Sequence, residues 1–191
     1  MPITVTVDAG VEPISLLEAK EHLNVTSDVD DTYILSLIGV ARKAVEIMTQ
    51  RSLITKTLQL SLDKFPSERE IRLPWSSTQS VTSVKYYDES GVLQTFASGS
   101  YWVDTQSIPG RIVLKEGYTW PETQISRPNS AVIEYDVGYG EPTEVPSDLK
   151  HAIKLLVGHW YANREDVSSV PYPHAVVPKA AEYLAMPYRV W

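Results

Sequence analysis

The sequence predicts an α+β fold in which an antiparallel β region is inserted between helices and a C-terminal arm closes the chain. Three observations carry this. Apolar residues recur at helical spacing in two early segments, the period switches to alternation after Arg51, and helical spacing returns at Ser147. The resulting order is helix, helix, β insertion, helix, arm. Its expected boundaries are 1–52, 53–140, 141–166 and 167–191.

The first helix is expected after Ser15 in "PISLLEAKEHL". Ser15 and Glu18 have capping-box spacing, and Leu16, Leu17, Ala19 and Leu23 supply an apolar side. The second lies in "SDVDDTYILSLIGVARKAVEIMTQ", with Asp28 or Asp30 as N-cap and Ile34, Ile38, Ala41, Val45 and Met48 on one stripe. "ITKTLQLSL" then sets Ile54, Leu58, Leu60 and Leu62 against Thr55, Thr57, Gln59 and Ser61, the alternation of a half-buried strand.

Further strands are expected at "EIRLP", "SVTSVKYYD", "VLQTF", "YWVD", "GRIVLK" and "SAVIEYDVGYG", separated by turn residues such as Glu89-Ser90-Gly91 and Pro109-Gly110. Their number and spacing describe a small sheet or sandwich. Proline-containing linkers close the β region. "SDLKHAIKLLVGHWYANRED" restores a helix with Ser147 as N-cap and a stripe of Leu149, Ile153, Leu156 and Trp160. In the arm, Pro178 is placed to start a short helix that Pro187 stops.

Composition narrows the function. The chain has 191 residues, 43% hydrophobic and 21% charged, the balance of a soluble globular protein, and no apolar run long enough to cross a bilayer. No membrane partner is expected. "MPITVTVDAG" lacks the basic start and apolar stretch of a secretory signal, and the absence of cysteine fits a cytoplasmic site of synthesis. A net charge of -7 argues against a protein that grips nucleic acid by neutralising phosphates, though not against DNA passing nearby.

No reactive constellation stands out. His151 and His159 are eight residues apart on one helix, too far along its axis to share a metal, and neither a nucleophile elbow nor a phosphate-loop pattern is present. "GYG" at Gly138–Gly140 runs into Glu141-Pro142 and reads as a strand ending in a turn. No enzyme, metal or cofactor is expected. Tyr86, Tyr87, Tyr101 and Trp102 lie in strands without an accompanying basic run, so packing explains them better than base stacking. A small module holding a ligand or carbohydrate on this aromatic β region is the alternative from another class.

"GHWYANRED" ends the last long helix. Trp160 continues the buried stripe as a core anchor, and Arg164 follows one turn later, where its guanidinium is expected to cover the indole. The Pro-rich stretch beyond has too few apolar residues for a core of its own, so it must lie on this protein or on a partner.

The order "PISLLEAKEHL", "ARKAVEIMTQRSLITKTLQL", "LPWSSTQSVTSVKYYDESG", "VPSDLKHAIKLLVGHWYANRE" and "MPYRVW" resembles the head-tail connector proteins of tailed bacteriophages, also called adaptor or head-completion proteins, with relatives in prophages and gene transfer agents. The resemblance covers nearly the whole chain and rests on the order of the segments, with "HWYANRE" and "PYR" the most telling.

It implies a small helical bundle of the first two helices and the Ser147 helix, with the β region inserted. It also implies a structural virion protein, made in the host cytoplasm and placed in the neck between head and tail. Such a protein forms a ring of roughly twelve subunits on the portal protein after DNA packaging. The ring joins the portal to a tail-side connector or stopper and carries DNA through its channel without binding it specifically. The free protein can be a monomer.

A cyclic ring needs two complementary surfaces on each subunit. Glu18, Glu21, Asp28, Asp30 and Asp31 on the early helices and Lys150, Lys154 and Arg164 on the late one are expected to meet between neighbours. Residues 167–191 are expected either to dock on the portal, through Tyr183, Leu184, Pro187, Tyr188, Arg189 and Trp191, or to pack on the chain's own helices.

Overall fold

The computed structural model describes residues 2–164 and 178–190. Among them are four α-helices and two antiparallel sheets, an α+β fold. The chain divides into two compact units. One comprises Met1–Ala9 and Thr55–Tyr139, the other Gly10–Ile54 and Gly140–Trp191.

The first unit is all β. Its strands are β1 (Ile3–Val7), β2 (Lys56–Leu62), β3 (Glu70–Leu73), β4 (Thr78–Tyr87), β5 (Leu93–Thr95), β6 (Tyr101–Asp104), β7 (Gly110–Leu114) and β8 (Ala131–Val137). They form a five-stranded sheet ordered β1-β2-β8-β4-β5 and a three-stranded sheet ordered β3-β7-β6. Seven of the eight coincide with the strands expected from alternation.

The eighth, β1, was not expected. Ile3 pairs with Leu60 and Val5 with Leu58, so the β unit begins before the helices and residues 1–9 belong to it. Its signal is visible in "ITVTV", where β-branched residues alternate with threonine.

Period-two alternation puts Leu58, Leu60 and Leu62 of β2 and Ile133, Tyr135 and Val137 of β8 into one core. Ile71 and Leu73 of β3, Tyr101 of β6 and Ile112 of β7 join the same cluster, so the two sheets share it. Tyr135 is fully buried, and its hydroxyl donates to the Pro74 carbonyl at 3.0 Å, satisfying the one polar atom that the side chain takes inside.

An aromatic stack closes the edge of this core. Trp120 lies parallel to Phe65 at 5.0 Å and near Phe96 at 5.5 Å, while its indole N–H donates to the Glu68 carbonyl at 2.9 Å. Gly110 opens β7 where a Cβ would stand 2.4 Å from Thr78 Oγ1, so the backbone's approach to that side chain requires glycine.

The second unit is helical. It holds α1 (Leu16–Leu23), α2 (Asp31–Thr49), α3 (Ser147–Ala162) and α4 (Lys179–Ala185), the last followed by a 3-10 turn, Met186–Tyr188. Helix α2 packs on α1, α3 and α4, and α3 also contacts α1 and α4. The apolar stripes meet as the 3.6-residue period dictates: Ile34, Ile38, Ala41 and Val45 of α2, and Leu149, Ile153 and Leu156 of α3, are fully buried.

Apolar spacing gave no hint of the charges enclosed with them. Arg42 is 4% and Glu46 3% exposed. Arg42 donates from Nε to Glu12 at 2.8 Å and from a terminal nitrogen to Glu46 at 3.3 Å, while Glu46 accepts the Leu53 N–H at 2.9 Å. One side chain thus ties the residues before α1 to α2, and another ties α2 to the segment after it. Such a pair survives burial only because each charge is held by several partners.

Two expected caps differ in detail. Ser15 caps α1 with the full reciprocal box predicted for it. Ser147, expected as N-cap of α3, is instead its first residue, with Pro146 in the cap position and no side-chain cap bond. Proline's fixed φ suits the entry to a helix and removes an N–H that would have had no helical partner.

Candidate functional site

The chemistry-bearing residues of the helical unit gather where α1, α2 and α3 present their charged ends. At α1, Ser15 donates its N–H to Glu18 Oε2 at 2.8 Å and accepts the Glu18 N–H at 3.1 Å. Lys154 Nζ on α3 lies 3.7 Å from the same carboxylate. The Ser15 backbone bond is the chief cause holding Glu18 below its ordinary pKa. Partial burial opposes it, and the Ser15 hydroxyl, Lys154 and Lys150 add to the lowering.

At the start of α2, Asp30 occupies the N-cap position without capping the helix. Its carboxylate is taken from the other side: the Tyr161 hydroxyl donates to Oδ2 at 2.6 Å and Arg164 Nη2 at 3.1 Å. The Tyr161 bond is the first cause of a lowered Asp30 pKa. Arg164 also lies over the rings of Tyr33 and Tyr161, at 4.7 and 5.2 Å. The Tyr33 hydroxyl donates to the Trp160 carbonyl at 3.4 Å.

The cluster clamps the end of α3 to the start of α2. It also corrects two expectations: Trp160 is half-buried, not a core anchor, and Arg164 covers the two tyrosines and not the indole, because Asp30 draws the guanidinium to that side.

Lys20 bridges Asp28 at 2.6 Å and Asp31 at 2.8 Å, and the hydrogen bond it donates to Asp28 is the first cause of its raised pKa. The residues expected to meet across a subunit boundary are therefore engaged within one chain in three places: Glu18 with Lys154, Asp30 with Arg164, and Asp28 and Asp31 with Lys20. Glu21 is exposed on α1 and Lys150 half-buried on α3. His22 and His151 pack edge to face at 6.0 Å, and burial is the leading cause of the lowered His22 pKa.

The C-terminal residues that are described lie against the helices. Ala181 and Ala185 are buried, Val190 N–H donates to the Thr49 carbonyl at 3.0 Å, Arg51 Nε donates to the Tyr188 carbonyl, and the Tyr188 hydroxyl reaches Asp148 at 3.0 Å. Leu184 and Tyr188 are consequently half-buried, whereas Tyr183, Pro187 and Arg189 face outward. Between α2 and this segment runs a groove of about 610 Å3, lined by Ile47, Met48, Tyr183 and Met186 among others. Trp191 and residues 165–177 lie outside the described residues.

In the β unit the three aromatics considered for ligand binding do not converge. Tyr101 is buried and stacked on Phe96, Tyr86 packs edge to face on Phe65, and Trp102 stands 64% exposed with Lys115 Nζ 4.0 Å from its ring centroid. Among the described residues no group of three or more His, Asp or Glu is placed to hold a metal ion. No helix there is long and apolar enough to cross a membrane.

A family model, head completion protein, matches residues 12–172. The chain belongs to the head completion protein family.

No curated protein sequence matches it. Its fold is similar to chains in three solved structures: the virion of a native gene transfer agent particle, the neck of an empty particle computed with C6 symmetry, and the neck of a native particle computed with C12 symmetry. Each likeness has 22% identity and a TM-score of 0.81, and covers 100% of this chain and 96% of the other.

Proposed function

We propose that the chain is a head-tail connector that joins a cyclic ring in the neck of a virion, on the portal protein after DNA packaging, and offers the next surface to a tail-side connector or stopper. Membership of the head completion family carries this reading. Similarity over the whole chain to proteins in gene transfer agent particles, two of them necks with cyclic symmetry, supports it.

In this reading the helices form the bundle that builds the ring, with the β unit as an appended module. A net charge of -7 suits a channel wall that lets DNA slide, since phosphate-neutralising contacts would hold it. The portal-facing surface lies at the outward end of segment 178–190, at Pro187 and Arg189, beside the Tyr188 hydroxyl bond that fixes it. Leu184 and Tyr188 act as internal fastenings of that segment and not as anchors for the portal.

The test is co-sedimentation of the purified chain with DNA-filled heads that carry their own portal, alongside heads lacking it. Saturable binding to portal-bearing heads alone, with a ring visible at the vertex by electron microscopy, is the expected result. Equal binding to both kinds of head, or none to either, refutes the connector reading.

A further inference from the structure

The helical unit carries two exposed apolar features of opposite charge character. The first is the groove between α2 and α4. Its apolar walls are Ile47, Met48, Tyr183 and Met186, of which Tyr183 is 72% and Met186 59% exposed. Lys179 lines it beside Glu182, and Lys43 is exposed one turn before Ile47 on α2. The second is a knob on α1. Leu17 is 66% exposed there, and the exposed Glu21 follows it at i+4, so the two share one face.

Large apolar side chains standing out beside each other mark an interaction surface, whereas isolated ones need no explanation. The capping box fixes the direction of α1, and the bonds of Val190 and Tyr188 fix the far wall of the groove, so both features are preformed. A basic-rimmed groove and an acid-flanked knob on one chain are complementary to each other. Two such distinct surfaces make the head-to-tail contact from which closed rings are built.

We infer that the α2–α4 groove receives Leu17 of a second copy of this chain, with Glu21 of that copy paired to Lys179. The inference rests on the ring reading above and names the contact that makes the ring. It assigns Tyr183 to the neighbouring subunit and leaves Pro187 and Arg189 to face the portal. It also replaces the earlier expectation about charges. Glu18, Asp30, Asp31, Lys154 and Arg164 are occupied within their own chain, and Glu21 and Lys179 take their place at the boundary.

The chain contains no cysteine, so introduced pairs report without background. The double variant L17C/M186C, and each single variant, are treated with a short bismaleimide in intact particles. Leu17 and Met186 are both exposed, so the melting temperature of each variant should match that of the parent. The expected result is a ladder of covalent multimers beyond the dimer from the double variant and none from either single one. E21K and K179E in that background should each lower the yield several-fold, and both together should restore it.

Products that stop at the dimer, links from Met186→Cys to the portal instead of to a second copy, or links formed by one single variant alone each overturn the assignment. Glutaraldehyde treatment of the parent particles separates the two levels of the argument. A glutaraldehyde ladder without a cysteine ladder rejects the groove and keeps the ring. Absence of both rejects the ring as well.

Discussion

Arg42 offers the most demanding test of how the helical unit is held. Replacing it with methionine keeps the aliphatic bulk and removes the guanidinium that bonds Glu12 and Glu46. Glu12 is partly exposed and can turn to water, but the Glu46 side chain is 4% exposed and stays inside with the Arg42 charge removed from beside it. Breaking a buried pair from one side costs about 3–5 kcal/mol, a large fraction of the 5–15 kcal/mol that typically separates folded from unfolded states. For a chain of this length that lowers the melting temperature by about 6–20 °C.

Circular dichroism at 222 nm reads the effect where it arises, because among the described residues the α-helices all belong to the unit that contains Arg42. R42M/E46Q is the companion variant: glutamine still accepts the Leu53 N–H and the double change removes both charges of the pair, so the double variant should be more stable than R42M alone. The reasoning fails if R42M melts within about 3 °C of the parent, a change of at most about 0.8–1.5 kcal/mol. It fails equally if adding E46Q lowers the melting temperature further.

Two more predictions concern single contacts. The depressed pKa of Asp30 means that its clamp on Tyr161 and Arg164 stabilises the fold above the ordinary aspartate value of 3.8 and is lost as pH falls below it. Hydrogen exchange of the last turn of α3 should therefore rise on acidification in the parent, while in D30N it should be high already and show little further change. Gly110→Ala places a Cβ 2.4 Å from Thr78 Oγ1 and 2.6 Å from Thr78 Cβ. It should cost about 1–3 kcal/mol in urea unfolding, and T78S should not relieve it because the Cβ clash remains.

Periodicity made most elements readable. The alternation of β2 and β8 and the 3.6-residue stripes of α2 and α3 follow directly from which face meets the core, and the Ser15 capping box follows from two residues three apart. Long-range polar pairing was not readable. Nothing local distinguishes Arg42, which is sealed between two acids, from Lys43, which is exposed. Asp30 looked like a cap because position is local, whereas its capture by Tyr161 and Arg164 spans more than 130 residues.

The same limit governs the candidate interface. Counting acids on early helices and bases on a late one is sound, yet it cannot say whether they meet within a chain or between chains. Three ion-pair clusters close inside one chain, and the proposed boundary falls instead at Leu17, Glu21 and Lys179. β1 was missed for a different reason: five residues at the start of a chain give alternation too short to weigh unless a partner strand is already in view.

The pairing of β1 with β2 also sets the order of events during synthesis. Ile3 must wait for Leu60, and the helices between them, α1 and α2, must wait for α3, which begins at Ser147. Each unit is interrupted by the other, so neither is complete as a continuous stretch emerging from the ribosome. The apolar stripe of α2 is translated roughly 100 residues before the helix that covers it, an interval of roughly 5–20 s at ordinary rates. Nascent chains that have just released residue 140 from the ribosome should therefore hold a complete β unit and an uncovered helix pair, making that window the time at which chaperones have most to bind.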